Sequence, residues 1–145
     1  DTKVIDSRLA TDGAGIRRRR ECERCGQRFS TIEEMEILDL VVVKRDGRRE
    51  QYSRDKLEAG LRKALEKRPV TREKLHALVG AIERDLQRKK KSEITAREIG
   101  EMVMHRLKIF DKVAYIRFAS VYRAFEDVDT FARELRTLAK KGKRR

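Results

Sequence analysis

Arg17-Arg18-Arg19-Arg20-Glu21-Cys22-Glu23-Arg24-Cys25-Gly26 reads as a basic arm running into a metal-type knuckle. Two thiolates separated by two residues can both reach one Zn²⁺, and a glycine after the second lets the backbone turn tightly. A metal-clamped hairpin would hold the arginines toward phosphates, which points to nucleic acid. A structural zinc site takes four ligands, and the sequence holds only these two cysteines, with His76 and His105 far downstream. Either residues ahead of Asp1 supply the other pair, or the pair is no zinc site. A sequence that opens at Asp1 without a Met favours the first reading.

Outward from the knuckle, residues 1–36 read as a small β module. Lys3–Arg8 suits a strand, Thr11-Asp12-Gly13 a turn, and Ile16–Arg20 the strand that enters the knuckle. The apolar anchors are few: Val4, Ile5, Phe29 and Ile32. So small a core does not hold a fold alone, a second argument for a metal. Glu33–Leu38 is a linker to a second unit or the beginning of that unit.

From Leu40 the pattern changes. Leu40–Lys44 is short and β-branched, Asp46-Gly47 is a two-residue hairpin turn signal, and Arg49–Tyr52 returns as the partner strand. Helices come next. Ser53 or Asp55 caps one with Leu57, Leu61, Ala64 and Leu65 on a face, ending near Pro69. Thr71 caps a second that carries Leu75, Leu78, Val79, Ile82 and Leu86. Thr95 with Glu98 makes a capping box for a third, with Ile99, Met102, Val103 and Leu107. Asp111 caps a fourth with Val113, Ile116, Ala119, Val121 and Phe125, and a fifth starts near Thr130 with Phe131, Leu135 and Leu138. The expected class is α+β: the β module, a β-hairpin plus helical bundle over residues 37–128, and a last helix with a basic tail over 129–145.

Composition narrows the function. Charged residues make up 43% and hydrophobic residues 39% of 145, enough for one helical core under a charged surface. The net charge of +13 is concentrated at two places. Ile16–Arg28 has six Arg against two Glu, and Arg133–Arg145 has seven Lys and Arg against one Glu. Such concentration is an electrostatic footprint for a polyanion, although the terminal Lys140–Arg145 equally suits a basic tail without a specific role. One C-x-x-C is no disulfide framework and fits a reducing cytoplasm. No apolar run approaches the roughly 20 residues of a membrane helix, and no signal peptide is visible.

Lys44 and Arg45 lead into the hairpin turn, Lys56 lies in the first turns of the next helix, and Lys63 follows seven residues later on the same face. Cations gathered near a helix N-terminus suit a polyphosphate. On spacing alone, a charged hairpin with solvated lysines explains them as well, since no glycine-rich phosphate loop is present. His76 and His105 lack a neighbouring metal-type residue and read as structural or solvent-facing, and Met102 and Met104 as helix packing. Tyr115, Phe118, Tyr122 and Phe125 share one helix face, a core or subunit contact in which Tyr122 is the exception to watch.

Val-Val-Lys-Arg-Asp-Gly-Arg at 42–48, with Ser-Arg-Asp-Lys-Leu at 53–57 and Arg-Lys-Ala at 62–64, resembles the ATP-cone. That module is the allosteric ATP- and dATP-binding unit of many ribonucleotide reductases. Val113–Phe125 (VAYIRFASVYRAF), together with Val4-Ile5-Asp6-Ser7-Arg8 and the arginine knuckle, resembles the NrdR family of bacterial repressors of ribonucleotide reductase genes. The likeness spans nearly the whole chain. It implies a zinc ribbon at 1–36 and an ATP-cone at 37–128. That family carries a C-P-x-C pair just ahead of the position of Asp1, so Cys22 and Cys25 would be half of a Cys₄ zinc site. Carried over by residue, the resemblance puts phosphate contacts on Lys44, Arg45, Lys56 and Lys63. It lines the adenine pocket with Val42 and Ile99, sets Glu50 on the base or sugar, and brings Tyr122 near the nucleotide. A glutamate repels a triphosphate, so Glu50 is expected to face away from it.

The resulting expectation is a non-enzymatic, cytoplasmic repressor. Arg17, Arg18, Arg19, Arg20 and Arg28 would contact operator DNA upstream of ribonucleotide reductase genes, and homo-oligomers controlled by ATP and dATP would set the spacing of the ribbons. One rival is a detached regulatory module of a reductase, but the chain is too short for a reductase barrel and has no spare cysteines for radical chemistry. A hydrolase lacks the acidic Mg²⁺-binding cluster it would need. Another rival is a zinc-ribbon RNA- or ribosome-binding protein. RNA recognition usually stacks bases on exposed aromatics, and residues 1–32 contain only Phe29.

Overall fold

The computed structural model describes residues 1–10, 15–37, 39–123, 125 and 127–140, and the chain divides into two units, Asp1–Leu38 and Asp39–Arg145. The expected turn at Thr11-Asp12-Gly13 and the tail beyond Lys140 lie outside the described residues.

In the first unit, β1 (Thr2–Leu9), β2 (Gly15–Cys22) and β3 (Arg28–Glu34) form an antiparallel sheet in that order. A bulge interrupts β1 between Val4 and Asp6. The two strands read from sequence are present and longer than expected. β3 is an addition, and it absorbs Glu33, which sequence reading left to a linker. With only Phe29 and Ile32 apolar, Arg28–Glu34 shows little hydrophobic alternation, and pairing with β2 defines it. Gly15 is the only buried residue among those described in this unit. A Cβ there would stand 2.7 Å from the Glu33 carbonyl oxygen, so the close approach of β3 requires glycine.

In the second unit, β4 (Val41–Val43) is the centre of a sheet ordered β5-β4-β6, antiparallel to β5 (Arg49–Gln51) and parallel to β6 (Glu93–Thr95). The turn differs from the two-residue form expected. Lys44 N–H donates to the Arg48 carbonyl at 2.8 Å and Gly47 N–H to the Lys44 carbonyl at 3.0 Å, leaving a three-residue loop, Arg45-Asp46-Gly47. Only Gly47, at φ +85°, takes the left-handed conformation. A two-residue type I′ turn needs positive φ at both central residues, whereas a type I turn closed by one left-handed residue needs it once. β6 also escaped the sequence reading: Glu-Ile-Thr offers one apolar residue, Ile94, which is 2% exposed. Its place comes from the long crossover through two helices.

The helices are α1 (Arg54–Ala64), α2 (Arg72–Arg88), α3 (Ala96–Phe110), α4 (Lys112–Tyr122) and α5 (Val128–Lys140). Capping residues set their starts. Ser53, rather than Asp55, caps α1, Thr71 caps α2, and Thr95 with Glu98 forms the complete capping box of α3. Asp111 caps α4 by accepting from Ala114 N–H at 2.9 Å, while Arg68 Nε donates to its other carboxylate oxygen at 2.9 Å. α1 ends well before Pro69, and Arg117 reaches its end to donate to the carbonyls of Ala64, its last residue, and of Glu66 just beyond it. Asp127 accepts from Thr130 N–H at 2.7 Å, which starts α5 earlier than Thr130.

The core joins Leu61, Leu65, Leu75, Leu78, Val79, Ile82, Val103, Met104, Leu107 and Tyr115, with Leu138 from α5 closing one side. Burial also pushes the Tyr115 phenol up to about 12, helped by Glu134, whose carboxylate accepts its hydrogen bond. α4 departs from expectation. Its buried residues are Ala114, Tyr115 and Ala119, whereas Val113 is 42% and Val121 84% exposed, and Phe125 lies beyond the helix end. A helix apolar nearly all round has no single stripe from which to read its inner face.

Candidate nucleotide pocket and nucleic-acid face

Strand β4 delivers Val42 to the floor of a cavity of about 230 Å³, and the chain then rises to Lys44 at its rim. β5 brings Glu50, α1 brings Lys56, Leu57 and Gly60, α3 brings Ile99, Gly100 and Val103, and α4 brings Phe118 and Tyr122. The result is an apolar slot with an ionic edge. Glu50 organises that edge: one carboxylate oxygen accepts from Lys44 Nζ at 2.8 Å and the other from Lys56 Nζ at 3.0 Å. Those two hydrogen bonds hold the Glu50 carboxyl down at about 2. Glu50 therefore faces Lys44 and Lys56, the two lysines on which the resemblance put phosphate contacts. Two ammonium groups converging from β4 and α1 would repel each other without an anion between them.

Tyr122 closes the slot. Its ring stacks on Phe118 at 5.8 Å, its hydroxyl donates to the Arg97 carbonyl at 2.8 Å, and burial holds its phenol above the ordinary value. Arg45, from the hairpin loop, lies 5.7 Å over that ring and donates to the Tyr122 carbonyl at 2.9 Å. Gly100 makes this packing possible, since a Cβ there would fall 2.1 Å from the tyrosine ring. Of the residues singled out from sequence, Val42, Lys44, Glu50, Lys56, Ile99 and Tyr122 line the cavity. Arg45 reaches it through Tyr122, and Lys63 is exposed on α1 outside the lining. Phe118, Leu57 and Gly100 were missed. Gly100 left a signal, because a glycine inside a firmly capped helix usually marks a close approach.

Behind the rim, Tyr52 Oη donates to Glu83 at 2.9 Å and Arg54 Nη1 to the same carboxylate at 3.2 Å. Arg54 also lies 3.4 Å from His76 Nδ1. The buried Glu83 thereby ties β5 and α1 to α2, and His76 is structural as read. His105 is exposed on α3.

In the first unit, Cys22 ends β2 and Gly26 turns the knuckle at φ +72°. The backbone N–H groups of Cys25 and Arg24 point at the Cys22 sulfur and hold its thiol below the ordinary range. Backbone donors aimed at a sulfur suit a metal thiolate, so this half of a zinc site fits. Glu23 N–H donates to the Asp1 carbonyl at 3.2 Å, which sets the start of β1 beside the knuckle. No cluster of three metal-type side chains exists among the described residues. The arginines separate. Arg17, Arg19 and Arg28 line a groove with Asp6 and Arg8, while Arg18 bonds Glu33 at 2.5 Å and Ser7 at 3.1 Å, and Arg20 bonds Thr2 at 3.0 Å.

Comparison with known proteins accounts for both units. Residues 40–128 match the model of the ATP cone domain, and residues 1–33 match that of the NrdR-like transcriptional repressor N-terminal domain. A transcriptional repressor NrdR from Listeria innocua is 52% identical over 144 residues, 99% of this chain and 94% of the relative. This chain belongs to the NrdR family. The NrdR of Acidithiobacillus ferrooxidans is 56% identical over 93% of the chain and 83% of its own length. That of Geobacillus kaustophilus is 52% identical over 99% and 94%. Members of this family are transcriptional regulators rather than enzymes, and the NrdR architecture joins a zinc-ribbon module to an ATP-cone, an α+β arrangement. No described helix is long and apolar enough to cross a membrane.

Proposed function

We propose that this repressor reads the ATP-to-dATP balance and represses ribonucleotide reductase genes in the cytoplasm by binding their upstream operator DNA. The observation that carries the reading is one chain holding both a lysine-edged apolar slot and an arginine-rich sheet. In the slot, Val42, Ile99 and Tyr122 enclose adenine, Lys44, Arg45 and Lys56 meet the phosphates, and Lys63 catches the far end of a triphosphate. The phosphates take over Lys44 and Lys56 from Glu50, whose freed carboxylate turns to the sugar. Its position beside the ribose suits it to register the 2′-hydroxyl that separates ATP from dATP. The sheet is held by Zn²⁺ on Cys22, Cys25 and two ligands ahead of Asp1, where the metal acts only as a structural clamp. The residue ranges 1–36, 37–128 and 129–145 serve as ribbon, cone and terminal helix with tail.

One small ribbon gives a small footprint, so operator specificity calls for two or more subunits at fixed spacing. Ile109, Val121 and Val128, at 78%, 84% and 79% exposed, support a homo-oligomer. Each nucleotide acts through its differential affinity for the alternative assemblies. The test combines light scattering with operator binding in ATP, in dATP and in neither. A nucleotide-dependent mass with a parallel change in operator affinity is expected. Identical mass and affinity in all three conditions would refute the sensing role.

A further inference from the structure

Resting on the nucleotide-sensing reading, we infer that the phosphate chain of the bound nucleotide crosses α1 at Gly60. The missing side chain there lets one anion reach Lys56 and Lys63 together. One stripe of α1 faces the slot: the cap Ser53, then Lys56, Leu57 and Gly60, at helical spacing, all line it. The next position on that stripe is Lys63, exposed just outside the lining.

Nothing in the described fold asks for a glycine at position 60. From Lys56 to Ala64 it stands among Lys, Leu, Glu, Ala and Arg, all strong helix formers, and glycine weakens a helix interior. Gly60 is not at the helix end, which comes at Ala64, and it is not among the glycines with positive φ. Beyond its chain neighbours and its own helix backbone, a Cβ there would meet nothing within 4 Å, whereas one at Gly100 would strike Tyr122. Tyr122 explains Gly100. The space over Gly60 belongs to the slot, so a ligand is what would meet that backbone.

Lys56 and Lys63 stand seven residues apart, about 10 Å along the helix axis. An anionic chain that touches both ammonium groups must run close along α1, and Gly60 lies on that path. A side chain at this position would lift the chain away from one lysine or the other. Lys56 reaches only Glu50, at 3.0 Å, and no partner holds the Lys63 ammonium among the described residues. Glu58, two residues before Gly60, is taken by Arg62 at 2.5 Å and does not compete. The Gly60 amide, bonded one turn back inside the helix, contributes room rather than a hydrogen bond. A monophosphate ends at Lys44 and Lys56, so only a longer phosphate chain makes the crossing.

The experiment measures ATP and AMP affinity of the intact protein by titration calorimetry, with the melting temperature of the nucleotide-free cone alongside. G60A is expected to raise that melting temperature by about 2–4 °C, because alanine is the better helix former. It should weaken ATP on the order of ten-fold while AMP changes little. G60L should weaken ATP further. K63A should weaken ATP but not AMP, and added to G60L it should cause little further loss, because the chain has already left Lys63. Unchanged ATP affinity in both G60A and G60L overturns the inference and leaves the sensing reading standing. An equal loss of AMP affinity puts the base rather than the phosphates over Gly60, and a lowered melting temperature in G60A makes the glycine a structural requirement. Either result overturns the crossing. If the wild-type protein binds neither ATP nor dATP, the sensing reading falls and the inference falls with it.

Discussion

The ribbon and the cone are stabilised by different means. Among the described residues, every apolar residue of the buried core belongs to the second unit, beginning at Leu40, whereas Val4, Ile5, Leu9, Phe29 and Ile32 of the first unit are all exposed. The cone is held by burial of ten or so large side chains, at about 25 cal/mol per Å² removed from water. The ribbon has strand pairing, ion pairs at its surface and a knuckle. Exposed ion pairs contribute little, so a covalent or metal clamp has to supply what the missing core does not. This difference suits the two tasks. A sheet with no core to protect can expose its arginines, while an apolar slot keeps its shape only with rigid walls.

Removing the clamp gives the largest expected effect. Cys22→Ser should abolish duplex binding and collapse the amide dispersion of residues 1–34 in NMR spectra, with the cone's melting temperature unchanged. A well-dispersed ribbon in that variant would break the comparison. Next comes Ile82→Ala, which empties a fully buried position in the cone. Urea denaturation should show a loss of about 2–5 kcal/mol, with knuckle metal content unaltered.

Gly100→Ala tests the wall of the slot. In an exposed helix that change would stabilise by up to about 1 kcal/mol, but here the new methyl meets the Tyr122 ring. Calorimetry should show ATP affinity falling about ten-fold or more, equivalent to about 1.4 kcal/mol, with helicity retained. Unchanged affinity would mean the tyrosine does not bound the nucleotide.

The smallest effect concerns pH. Glu50, held by Lys44 and Lys56, and Glu98, held by Lys91 and the Thr95 cap, both titrate at about 2 in the folded cone. Their ordinary value is 4.5, so the unfolded chain takes up these protons first. Their stabilisation is present above about 4.5 and is lost as pH falls toward about 2. The cone's melting temperature should decline over that window, and Glu50→Gln with Glu98→Gln should flatten the decline. A decline of wild-type size in the double variant would assign the loss to other carboxylates.

Much of the cone was legible because its signals are local. Ser53, Thr71, Asp111 and the Thr95–Glu98 box act within three residues of themselves, and α2 shows its inner face through a regular apolar stripe. Where local signals failed, a distant partner had set the outcome. β6 exists because β4 lies beside Ile94, and β3 because β2 lies beside Phe29 and Ile32. In α4, the valines at 113 and 121 carry the same apolar signal as the buried Ala114 and Ala119, and only the packing of α1 and α3 selects between the faces. The turn at Asp46-Gly47 differs by one residue because the dipeptide suits more than one turn, and Asp46 does not take the positive φ that the two-residue form needs.

By itself the sequence determined the two-part organisation, the starts of α2, α3 and α4, the knuckle, the family and six of the residues that line the slot. Each depends on residue type and short spacing, which the chain carries wherever it goes. Tertiary structure alone decided that Glu50 bridges Lys44 and Lys56, that Gly100 makes room for Tyr122, and that Arg18 and Arg20 are bound across the strands while Arg17 and Arg19 are exposed in the groove. Charge and hydrogen bonding depend on which groups meet across space, and residues as far apart as Arg45 and Tyr122 meet only when the chain has folded.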